Sequence, residues 1–110
     1  MVKAVVSPFE ALGLSPALLR ALDAMGYERP TEIQERVIPL LLADRDVIGQ
    51  AQTGTGKTAA FGIPIVERSD PERAEVQALV LAPTRELAVQ ITQELRALAQ
   101  FRPLAIATIY

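Results

Sequence analysis

The chain has 110 residues, half of them hydrophobic, which suits a single compact core and excludes a disordered tail or a two-domain enzyme. A formal net charge of -2 supplies no overall basic field, so a nucleic acid would have to be held by a few placed groups. Cysteine and histidine are both absent, which excludes thiol chemistry, disulfides, Cys/His zinc sites and a histidine general base.

The N-terminal Lys3-Ala4-Val5-Val6 stretch is too short for a signal peptide, and the apolar run from Val37 to Ala43 falls far short of the roughly 20 residues that span a bilayer. A cytoplasmic protein without a membrane partner is expected. Ser15-Pro16 has the grammar of a helix start, and Leu18, Leu22 and Met25 follow at helical spacing until Gly26 ends the run. Thr31 opens a second helix with Gln34 in the capping-box position and Ile33, Val37 and Leu41 on one stripe, kinked at Pro39.

Val47-Ile48-Gly49 reads as a short buried strand, followed by the Gly-rich run Ala51 to Thr58 and a helix that Gly62 and Pro64 should weaken. Glu67 to Glu75 is a charged surface loop. Ala78 to Ala82 is a continuous apolar strand of the kind covered on both faces in a parallel sheet. Thr84 caps a long helix with Leu87, Ile91, Leu95 and Leu98 on its buried stripe and Gln90, Gln93, Glu94 and Arg96 pointing elsewhere; Leu104 to Tyr110 is a third strand. Strand alternating with helix is the α/β pattern with a mostly parallel sheet. Three strands ending on an apolar segment suggest an incomplete domain, in need of a complementing piece or prone to self-association.

Ala51-Gln52-Thr53-Gly54-Thr55-Gly56-Lys57-Thr58 carries the strongest chemistry. Its glycines let successive N–H groups turn inward as an anion nest, and the helix start adds partial positive charge. Lys57 reaches the outer phosphates and the Thr58 hydroxyl ligates Mg²⁺, which gives both a catalytic role in phosphate chemistry. Ala51 stands where the general P-loop pattern has glycine. A solvated Gly/Thr loop is the bland rival.

This run resembles motif I of the DEAD-box helicases. Gly26 to Gln34, with Phe9 upstream, is similar to their Q motif (about 9–34), and Pro83-Thr84-Arg85-Glu86-Leu87 to their motif Ia. The resemblance implies a partial RecA-like P-loop domain, the N-terminal part of the first helicase domain, and an ATP-dependent RNA helicase as the parent activity. It implies that Gln34 reads adenine, that Tyr27 and Arg29 cover the faces of the base, and that Pro83, Thr84 and Arg85 hold the RNA backbone. Spacing alone makes Gln34 the capping partner of Thr31, Tyr27 a core-edge aromatic, and Arg85 a surface residue after a Thr cap. Phe9 is expected to pack and Glu86 to complement the helix dipole. The family's Asp-Glu-Ala-Asp box is not in the sequence, which leaves a non-catalytic nucleotide-binding or interaction module as the alternative. Other P-loop NTPases lack the Tyr27 to Gln34 segment.

Overall fold

The computed structural model describes residues 8–50 and 56–110. A single 3-10 turn, Glu10–Leu12, precedes α1 (Pro16–Ala24), α2 (Glu32–Leu42), α3 (Lys57–Arg68) and α4 (Arg85–Leu98). Among the described residues no helix is long and apolar enough to cross a membrane.

Three of the four helices, α1, α2 and α4, begin where a side chain satisfies a free N–H group, while α3 starts at Gly56 without a side-chain cap. Ser15 Oγ accepts from Leu18 N, Thr31 Oγ1 from Gln34 N, and Thr84 Oγ1 from Leu87 N. The end of α1 is closed by the reciprocal pair Gly26 N to Asp23 O and Tyr27 N to Leu22 O, both at 2.9–3.0 Å. That turn needs φ +79° at Gly26, which a glycine adopts without penalty, and it fixes where Tyr27 leaves the helix.

The core is shared by all four helices. Leu18 and Leu22 of α1, Ile38 of α2, Ile63 and Val66 of α3 and Leu98 of α4 are fully buried with Phe9, as expected of that aromatic. Gly62 is a contact point and not a weakness: a Cβ there would lie 3.0 Å from Leu98 Cδ1 and 3.1 Å from Leu95 Cδ2, so α3 and α4 approach closely. Pro64 is buried within the same uninterrupted helix. The charged loop begins only after Arg68, where α3 ends.

The buried stripe of α2 differs from expectation. Gln34 and Ile38 face the core, while Ile33, Val37 and Leu41 are half-buried. Ile33 and Val37 instead cover the backbone at Gly49, where a Cβ would meet their methyl groups at 3.5–3.6 Å.

The three expected strands are extended segments that form no ladder among the described residues. Their side chains nevertheless alternate in period two. Val80, Ala82, Leu104 and Ile106 pack against the core, whereas Leu79 and Leu81 are 79% and 85% exposed. Helices therefore cover one face only, and Ile48, at 95% exposure, is not the buried strand residue expected. An apolar run defines an extended segment, but pairing depends on which backbones lie side by side. The last segment is fastened to α4 by Arg96 Nη2 donating to Ile106 O at 2.9 Å and by the Thr92–Thr108 hydroxyl pair at 2.5 Å.

Candidate functional site

An open cleft of about 1010 Å³ runs between the Tyr27–Gln34 segment, the start of α3, the extended segment at 79–81 and one face of α4. Tyr27, Arg29, Gln34, Gly56, Lys57 and Thr58 all line it, so residues as far apart in sequence as Tyr27 and Thr58 converge on one space. Ala51, Gln52, Thr53, Gly54 and Thr55 lie outside the described residues.

Gln34 is the joint between the two motifs. It is 2% exposed. Its Oε1 accepts from Thr31 N at 2.9 Å, which completes the capping box, and its Nε2 donates to Gly56 O at 3.1 Å. The helix-capping role and the contact with the Gly-rich run are thus held by one amide at once. Gly56 has φ +81° and caps α3, and a Cβ there would sit 2.3 Å from Gln34 Nε2, so only glycine permits this approach.

Lys57 and Thr58 occupy the first turn of α3, Lys57 exposed and Thr58 half-buried. The free N–H groups and partial positive charge of a helix start favour an anion there, and an exposed ammonium beside them adds a full charge. Among the described residues no group of three acidic, Cys or His side chains could hold a metal by itself. A hard hydroxyl such as Thr58 suits Mg²⁺ only together with ligand phosphates and water.

Tyr27 is half-buried and its hydroxyl donates to Glu94 Oε1 on α4 at 2.5 Å. Burial first, then the hydrogen bond and the negative charge of Glu94, push the phenol up to about 12. Gln90 is exposed and Glu94 half-buried, so both stay out of the core as expected, and both line the cleft beside Ile91 and Leu87, the last of which is 37% exposed and not on the buried stripe as expected. Their spacing held the signal: positions 87, 91 and 94 share a face of a helix, and only polarity had set Glu94 apart.

Pro83, Thr84 and Arg85 are exposed at the N-terminus of α4 and do not line the cleft. Arg85 lies over the Tyr110 ring with its guanidinium carbon 4.4 Å from the centroid. The helix start and this arginine form a second potential anion site, separate from the first. Glu86 lies in the first turn of the same helix.

A helix N-terminus led by a glycine-ended run, with an aromatic ring, an amide and a lysine around one cleft, has the make-up of a nucleoside-phosphate site. The chain belongs to the DEAD/DEAH box helicase family, which matches residues 31–110. It is 52% identical over 105 residues to the DEAD-box ATP-dependent RNA helicase CshA of Geobacillus kaustophilus, covering 96% of this chain and 22% of that protein. Among solved structures, S. cerevisiae Dbp5 bound to RNA and ADP BeF3 superposes with a TM-score of 0.84 at 45% identity, over 89% of this chain and 26% of that one. The RNA helicase Prp28 from Chaetomium thermophilum bound to ADP gives 0.84 at 38% identity, over 99% and 28%. The fold is therefore of the RecA-like α/β class, and the chain spans about a fifth of the length of the curated relative it matches.

Proposed function

We propose that the protein acts as an ATP-dependent RNA helicase and that residues 1–110 form the N-terminal part of its first RecA-like domain. The observation that carries this reading is the hydrogen bond from Gln34 Nε2 to Gly56 O. It joins the segment suited to a nucleobase directly to the end of the segment suited to phosphates. Family membership and the nucleotide and RNA in the named structures support it.

Adenine enters at the Tyr27 end, where an amide that can donate and accept meets the N6 and N7 edge of the base. Tyr27 and Arg29 provide an aromatic ring and a planar cation for its faces. The run Ala51 to Thr58 cradles the phosphates, and Lys57 neutralises charge on the outer ones. Thr58 supplies one oxygen for Mg²⁺, which when bound offsets phosphate charge. Pro83, Thr84 and Arg85 hold the RNA sugar-phosphate backbone at the start of α4, which gives little base specificity.

The likeness to RecA-like neighbours supports a mostly parallel sheet, whose bare face and edges would be completed by the rest of the helicase core, or by self-association. The 110-residue chain alone lacks an Asp-Glu-Ala-Asp segment and is not expected to turn ATP over.

The division of labour is tested with Lys57→Ala and Arg85→Ala in the protein containing the remaining core. Lys57→Ala should weaken ATP binding or turnover severely. Arg85→Ala should spare ATP affinity without RNA, weaken RNA binding, and lower the salt slope by about one ion-release unit. Identical profiles for the two variants would contradict the reading.

A further inference from the structure

Glu94 lies outside the motifs that the sequence singles out, yet it meets Tyr27 across the cleft. The contact spans 67 positions and joins the turn after α1 to the middle of α4. Both ends are held. The turn is closed by the Gly26 and Tyr27 backbone bonds, and the burial of Ile91, Leu95 and Leu98, which flank Glu94, seats α4 on the core. A tyrosine ring has two soft torsions, and tying its hydroxyl to a fixed acceptor removes most of their freedom. The phenol stays a donor throughout the neutral range, since its ionisation is pushed up to about 12.

We propose that Glu94 is a positioning residue for nucleobase binding, which sets the Tyr27 ring against the base by accepting its hydroxyl hydrogen bond. This rests on the reading of Tyr27 as a wall of the adenine site. The base would meet a ring already oriented, so less freedom is lost on binding and affinity rises without a direct contact from Glu94. A phenylalanine at position 27 could stack but could not be held this way. The same bond makes the rotational state of α4, whose N-terminus carries Thr84 and Arg85, part of the environment of the base.

The test uses the chain with Glu94→Ala, Glu94→Gln and Tyr27→Phe, and compares binding of ATP with that of inorganic tripolyphosphate, which has no base. Glu94→Ala and Tyr27→Phe should each weaken ATP by about three- to tenfold, the range of one lost hydrogen bond. The double variant should be no weaker than either, and tripolyphosphate should be unaffected. Glu94→Gln keeps an acceptor and should restore ATP affinity. With no tryptophan and only Tyr27 and Tyr110 in the chain, the phenol can be followed directly. In a Tyr110→Phe background, a rapid pH jump read by ultraviolet absorbance should show Tyr27 ionising well above 10, and lower once Glu94 is Gln or Ala.

Equal losses for ATP and tripolyphosphate would mean a general structural role and would overturn the inference. So would an unchanged ATP affinity in Glu94→Ala, or additive losses in the double variant. A parent chain that binds ATP no better than tripolyphosphate would instead defeat the adenine site itself, and with it this inference, even where the Tyr27 titration still responds to Glu94.

Discussion

Replacing Gly56 by alanine perturbs the joint between the two halves of the cleft, and its cost can be worked from two sources. At φ +81° an L-residue sits in the left-handed region, which costs about 1–2 kcal/mol. The new Cβ would also stand 2.3 Å from Gln34 Nε2, a separation that no side chain tolerates. The amide is the end of a flexible side chain, so it can swing aside, but doing so gives up its bonds to Gly56 O and Thr31 N. At about 1 kcal/mol each, these bring the total to about 3–4 kcal/mol. Gln34→Ala alone should cost about 2 kcal/mol through the same two bonds. With Gln34 already removed, the collision disappears and Gly56→Ala should cost only the backbone strain, about 1–2 kcal/mol. A double-mutant cycle should therefore show a coupling of about 2 kcal/mol, measured by urea unfolding of the helices followed by far-ultraviolet circular dichroism. Additive losses, or a Gly56→Ala variant within about 0.5 kcal/mol of the parent, would refute the joint.

Tyr27 makes stability depend on alkaline pH. Its folded value of about 12 lies above the ordinary 10.0, so this contribution is complete below pH 10, declines as pH rises from there, and is gone above the folded value. Tyr27→Phe should remove that slope, and an unchanged slope would assign it to other groups. Leu79 and Leu81 are exposed on a segment with no ladder partner among the described residues, so the chain should self-associate with rising concentration, and Leu81→Lys should reduce this in sedimentation experiments while leaving helix content unchanged. A parent chain monomeric at all concentrations would contradict this.

The helices were legible because their starts are written in residue types: Ser15-Pro16, Thr31 and Thr84 each place an acceptor where free N–H groups need one. The buried face of α2 was not legible in the same way. Gln34 is polar by composition, and only its two partners, one of them across 22 positions, allow it to replace an aliphatic residue in the core. Gly62 looked like a flaw in α3 because propensity counts its own helix and not the leucines of α4 that close on it. The runs expected as strands show period-two burial at Val80, Ala82, Leu104 and Ile106 but no ladder among the described residues, because pairing belongs to pairs of backbones and is not encoded in one apolar run. At the cleft, Tyr27, Arg29, Gln34 and Lys57 could be named from motif grammar, whereas Glu94 needed the face of α4 to be known.

The central claim is that the cleft holds an adenine nucleotide with Gln34 reading the base. Its most direct test is the equilibrium affinity for ATP and GTP of the parent, Gln34→Ala and Gln34→Glu proteins. Glutamate at 34 keeps the acceptor for Thr31 N, so the cap survives, but it loses the donor that faces Gly56 O and the base. The account predicts that the parent prefers ATP and that both substitutions collapse the preference, including in Gln34→Glu where the cap is retained. An ATP preference that persists undiminished in both variants would contradict it and leave Gln34 as a helix cap alone.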